Sequence, residues 1–282
     1  MNIKKIRTIA YGITLSSLAF ASFSGHDASK TIAASTEEGT LTLVANGEDF
    51  VRQGFISKDG WSIEFDNLYV NVGEAIAYST ASSFEPEKDD TKDSIEYEQK
   101  VELLEQATVT DLAEGDADAD PVAVVQTSVE PGFYNALVWE VTTADADSAI
   151  AGKTMNLIGS ATKDGETIDF DLSFVRPMNY VCGEFVGDER QGMVTADAPG
   201  TVEMTFHFDH LFGDSDTPSE DALNQDALGF QPLADIASNG MVKFDDSELV
   251  EKLSTEDEQR LSEAIAGLGH VGEGHCVVSN SQ

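Results

Sequence analysis

Four of the five histidines in the chain fall into two short groups near its C-terminal end, His207 with His210 and His270 with His275. The first group sits in Thr205-Phe206-His207-Phe208-Asp209-His210, where apolar and polar residues alternate. In an extended strand, successive side chains point to opposite faces, so Phe206 and Phe208 enter a core while His207 and Asp209 project together from the other face. His210 joins them if the strand ends or bulges there. The second group sits in the glycine-rich run Gly269-His270-Val271-Gly272-Glu273-Gly274-His275-Cys276, which can fold back toward the first. Neutral imidazoles and a carboxylate are ligands for Zn(II) or Cu(II), with iron or nickel also accommodated. His207, Asp209, His210, His270 and His275 are therefore the candidate metal ligands. The competing readings are a hydrogen-bonded polar strand end and acid–base catalysis.

A second kind of ion enters through Gly213-Asp214-Ser215-Asp216-Thr217-Pro218-Ser219-Glu220, which starts like an oxygen-ligand calcium loop. Pro218 and Ser219 break the helix–loop–helix calcium pattern, which leaves calcium possible through Asp214, Asp216 and Glu220 on ligand type alone. Signatures of enzymes are missing: there is no Gly-x-Ser-x-Gly elbow, no phosphate-cradling glycine loop and no His-Glu-x-x-His helix. Paired carboxylates carry little information in a chain with 52 acidic residues.

The two cysteines, Cys182 and Cys276, read most simply as a disulfide if the protein is exported. Such a bridge would close a long loop worth about 4 to 5 kcal/mol in the chain-entropy account, and would hold the histidine tail near the neighbours of Cys182. The rival reading is a thiolate ligand, which favours Zn(II) or Cu(I). Export itself is suggested by residues 1–24: Lys4, Lys5 and Arg7 precede an apolar run from Ile9 to Phe23 with the small-x-small pattern Ala19-Phe20-Ala21. The run is too short and too rich in Ser and Thr for a membrane span, so it reads as a signal peptide and the product as periplasmic or secreted.

The net charge of −36 excludes nucleic acid as a natural partner, since phosphates require a surplus of Lys and Arg. Acidity spread along the whole chain fits a saline habitat, where a screening length of ~3 Å near 1 M salt suppresses self-repulsion. A protein partner is not indicated.

The elements that must position the histidines are mainly strands. Residues 25–38 lack periodicity and read as a disordered leader; a single β-rich domain is expected over 39–282. Trp61, Ile63 and Phe65 share one face, and a parity change near Asp66-Asn67 moves the apolar face to Leu68, Val70 and Val72, which predicts a bulge in one long strand. Residues 84–100 are charged and read as a surface excursion. Met155 to Ala161 and Thr167 to Val175 flank Asp164-Gly165 as a hairpin, and Gly200 to His210 reads as a further strand. Helical spacing is confined to Gln231–Ala237 and to about 245–268, where Ser254 caps the stronger helix and Gly269 ends it.

These features predict a mostly β protein, an antiparallel β-sandwich with a small C-terminal helical hairpin. Its expected function is to bind a transition metal, Zn or Cu, in storage, delivery or sensing rather than catalysis. The alternatives are a halophilic cell-envelope structural or interaction domain without metal, and a metal-dependent hydrolase.

Overall fold

Alternating apolar residues draw most of the chain into strands. The computed structural model describes residues 37–87, 95–185, 187 and 191–280, with backbone alone at 275, 279 and 280. The signal-like segment, the leader as far as residue 36, and residues 88–94 of the charged excursion lie outside the described residues. Along the first half run β1 (Gly39–Asn46), α1 (Asp49–Gln53), β2 (Phe55–Ile56), β3 (Ser62–Ser79), β4 (Gln99–Leu104), β5 (Thr108–Asp111), β6 (Val122–Val129), β7 (Gly132–Phe133) and β8 (Ala136–Val141). Next come β9 (Met155–Lys163), β10 (Glu166–Phe174), β11 (Met178–Cys182), β12 (Met193–Val194), β13 (Gly200–Phe206), α2 (Asp209–Phe212), α3 (Ala222–Asp226) and α4 (Gln231–Asp235). The chain closes with β14 (Met241–Asp245), α5 (Asp246–Lys252), α6 (Thr255–Ala266), β15 (Gly269–Val271), β16 (Gly274–His275) and β17 (Val277–Asn280).

Two main sheets face each other as a sandwich. One has the order β16-β15-β13-β1-β6; the other runs β14-β10-β9-β3-β8-β11-β17, with β2, β4 and β5 also paired to β3. Leu41, Leu43, Met204 and Phe206 of the first sheet share a core with Trp139, Phe170, Leu172 and Tyr180 of the second. Trp139 stacks on Tyr180 at 4.2 Å and meets the edge of Phe206 at 5.0 Å, so the aromatic contact crosses between the sheets.

Local sequence rules explain several of these strands. The register of β3 against β9 shifts between Phe65 and Asn67, and the bulge lets Ile63 on one side and Leu68, Val70 and Val72 on the other all reach the core. Asp164 and Gly165 have φ of 52° and 85°, the left-handed pair that a two-residue hairpin turn requires between β9 and β10. Ile168, Phe170, Leu172 and Phe174 alternate into the core as expected.

The predicted antiparallel pattern holds for most pairs, but β1 runs parallel to β13 and β10 parallel to β14. Each parallel pair joins segments far apart in sequence, which hairpin signals cannot reveal. At the C-terminal end the helical hairpin is α5 and α6. Asp245 and Glu248 form a reciprocal capping box on α5, and Ser254 Oγ accepts from Asp257 N at 3.1 Å at the start of α6. Leu249, Leu261 and Ile265 anchor the pair in the core, while Arg176 grips Asp246 through Nε and Nη2 and reaches Ser262 Oγ at 2.7 Å. Among the described residues no helix is long and apolar enough to cross a membrane.

Candidate metal centre

Strand β13 ends at Phe206, four residues before the predicted end at His210. The cause is the apolar spacing beyond it: Phe208, Leu211 and Phe212 are all buried, and only a helical turn can send 208, 211 and 212 to one side. Phe208 accordingly takes the right-handed helical conformation and α2 follows, with His210 N donating to His207 O at 3.2 Å. The turn swings His210 round beside His207.

Helix α6 delivers the second group. It ends at Gly267, and β15 then pairs antiparallel with β13, setting Thr205 opposite His270 and Phe206 opposite Gly269. His207 N donates to Leu268 O at 3.0 Å and extends that register. The two histidine groups, more than fifty residues apart, therefore meet. Rings of His207 and His270 stack at 4.0 Å; His210 stands 5.4 Å from His207 and 4.9 Å from His270, centroid to centroid.

One ring nitrogen from each of the three lies within 4.8 Å of the others, an arrangement that could hold a metal ion. A tetrahedral ion with bonds of about 2.1 Å needs such nitrogens about 3.4 Å apart with their in-plane lone pairs converging, so the stacked rings of His207 and His270 must reorient to share an ion. His207 and His270 are buried and His210 is half-buried. Hydrogen bonds assign the tautomers, because a carbonyl can only accept. His207 Nε2 faces Gly272 O at 3.2 Å, and His210 Nδ1 and His270 Nε2 both face Gly267 O at 3.2 Å. Those three nitrogens carry the protons, which leaves the lone pairs on His207 Nδ1, His210 Nε2 and His270 Nδ1. Gly267 O is a carbonyl at the end of α6, the negative end of the helix and a natural acceptor for two N–H groups.

Asp209 Oδ1 is 3.9 Å from His207 Nδ1, near the three nitrogens but outside the group they form. The backbone register of β15 and β16 sets position 275 opposite His270, while the His275 side chain lies outside the described ones. The acidic loop after His210 is tied together by buried Asn224, which donates to Asp214 O, Thr217 O and Pro218 O and accepts from Asp214 N. Three backbone carbonyls of the loop are thus engaged by an amide.

Sequence spacing did not single out Glu48. Its Oε1 lies 3.4 Å from His207 Nε2. Burial raises the Glu48 carboxyl above its usual range; His207 pulls it back, and Glu273, Asp209 and Glu203 push it further up. Nothing around position 48 marks it in the sequence, since it lies more than 150 residues before His207.

The disulfide between Cys182 and Cys276 is formed. It lies where the tail leaves the first sheet at β16 and enters the second at β17. Trp139 Nε1 donates to Cys182 Sγ at 3.2 Å. Beside it, a Cβ on Gly269 would fall 2.3 Å from Tyr180 Cε1, so only glycine lets β15 approach the second sheet this closely. Gly269→Ala is expected to cost about 1 to 3 kcal/mol by forcing β15 outward and to displace His270 with it. Chemical denaturation together with metal titration checks this; an unchanged midpoint and affinity would contradict it.

Outside the cluster, His210 lines a cleft of about 440 Å³ whose walls include Asp221, Asp226, Glu263 and Leu223. His210 thus links the imidazole group to an acidic, solvent-reaching cleft. No known protein-family model matches the chain, and no curated protein or solved structure is significantly similar to it.

Proposed function

We propose that this protein binds one transition metal ion, Zn(II) or Cu(II), through His207, His210 and His270, and acts in metal storage, delivery or sensing. The observation that carries the reading is the convergence of three imidazoles from two separate segments, each holding its second ring nitrogen against a backbone carbonyl. Metal-ligating histidines are oriented by such contacts. Asp209, 3.9 Å from His207 Nδ1, and His275, opposite His270 in register, are the proposed additional ligands.

Access favours exchange over permanent retention. A structural zinc site is closed, whereas His210 borders a cleft with three carboxylates that attract cations. The signal-like N-terminal segment and the formed disulfide support a periplasmic or extracellular location. A second reading, a structural domain adapted to salt, is favoured by the net charge of −36. It expects stability to rise with salt and to survive chelation.

Elemental analysis of protein purified without a histidine tag separates the two. One equivalent of Zn or Cu is expected in the wild type, and none in H207A/H210A. Failure of the wild type to retain or take up a stoichiometric ion would overturn the metal reading.

A further inference from the structure

We propose that Glu48 is a positioning residue for the metal centre: its carboxylate, together with Gly272 O, accepts from the Nε2–H of His207 and so keeps Nδ1 of that ring free of the proton and available to the ion. This rests on the metal-binding reading above. Three observations converge on it. First, two acceptors crowd Nε2, Gly272 O at 3.2 Å and Glu48 Oε1 at 3.4 Å, whereas the nearest carboxylate oxygen to Nδ1, from Asp209, is 3.9 Å away. Nε2 is therefore the protonated nitrogen, which leaves Nδ1 as the nitrogen of His207 able to bind an ion. Second, Glu48 stands outside the group of three nitrogens that could share an ion. It backs His207 from behind, as the carboxylate does in a carboxylate–histidine–metal triad.

Third, the fold holds Glu48 in place against its own backbone preference. Glu48 has φ 65° and ψ 172°, a region almost reserved for glycine. What fixes it there is a chain of polar contacts built on the buried carboxylate of Glu203. Asn46 donates to Glu203 Oε1 at 2.9 Å, and its own Oδ1 accepts from Glu48 N at 2.9 Å. Thr205 also donates to Glu203 Oε1 at 2.9 Å, and its hydroxyl oxygen accepts from Gly272 N at 2.9 Å. Glu203 thus anchors, through two arms, both residues that face His207 Nε2. The paired strands β1 and β13 set Asn46 opposite Thr205, which gives the two arms their common origin.

The strain supplies a test that a merely structural role could not pass. Zinc is titrated calorimetrically into wild type, E48Q and E48G, and the metal-free forms are melted. E48G is expected to bind zinc about 10- to 100-fold more weakly than wild type, because the orienting partner is gone. Its metal-free melting temperature is expected to hold or rise, because glycine accepts this conformation. E48Q keeps an acceptor without the charge and falls between. In zinc-loaded wild type, nitrogen-15 NMR of the imidazoles is expected to find His207 protonated at Nε2 and bound through Nδ1. Equal zinc affinity in all three proteins, or ligation through Nε2, would overturn the role of Glu48 while leaving the metal site standing. A wild type that takes up neither zinc nor copper would remove the metal reading, and this inference with it.

Discussion

Removing the disulfide, as C182S/C276S or by reduction, is expected to lower stability by about 4 to 5 kcal/mol and to weaken metal uptake at the same time. The first effect follows from loop closure, since the bridge joins residues 94 apart in sequence. The second follows from where the bridge sits. Strand β15 holds to β13 through the pairs Thr205–His270 and Phe206–Gly269, and β16 hangs on β15. Beyond Cys276 the chain crosses to the other sheet, where β17 pairs with β11 from Val181 back to Met178. The bridge therefore staples the tail at its crossover, one residue after His275. Without it the short β15–β16 hairpin opens more easily, and every opening takes His270 away from His207 and His210. Urea unfolding and zinc affinity, each measured oxidised and reduced, check the coupling. A large loss of stability with zinc affinity unchanged would mean that the hairpin is held by its packing alone.

Truncating His270 is expected to have the largest effect on the ion itself. A complete structural zinc site supplies about 10 to 16 kcal/mol from four ligands, so losing one costs on the order of 3 to 4 kcal/mol, a factor of a few hundred in affinity. His270 is the most buried of the three and is stacked on His207 at 4.0 Å. The wild type should gain about 2.7 kcal/mol of stability at a free zinc concentration of 100 times Kd. For a chain of this size that corresponds to a rise in Tm of about 5 to 10 °C. H270A at the same zinc concentration should show almost none of it. Competition of zinc against a chromophoric chelator gives the affinities, and calorimetric melting gives the shift. A full zinc-induced shift in H270A would exclude His270 from the ligand set.

The parts of this molecule that short-range chemistry determines were readable from its residues. The parity change at Asp66-Asn67, the left-handed Asp164-Gly165 turn and the Ser254 cap each act within a few positions, and each appears where its residues require. The parallel partners of β1 and β10 were not readable, since they depend on pairing across long stretches of chain. The same division runs through the site. Histidine spacing marked the two groups, but the turn of α2 that brings His210 round is dictated by Phe208, Leu211 and Phe212, which the alternating pattern ending at His210 concealed. The meeting of the groups rests on β13–β15 pairing. Glu48 carries no local signal at all; its place beside His207 is set by Asn46 and Glu203, through contacts between the adjacent parallel strands β1 and β13.

The most direct test is a crystal grown with zinc and measured on both sides of the zinc absorption edge. A single anomalous peak is expected within about 2.2 Å of His207 Nδ1, His210 Nε2 and His270 Nδ1. No peak at the three imidazoles, or a peak held only by surface carboxylates, would contradict the account.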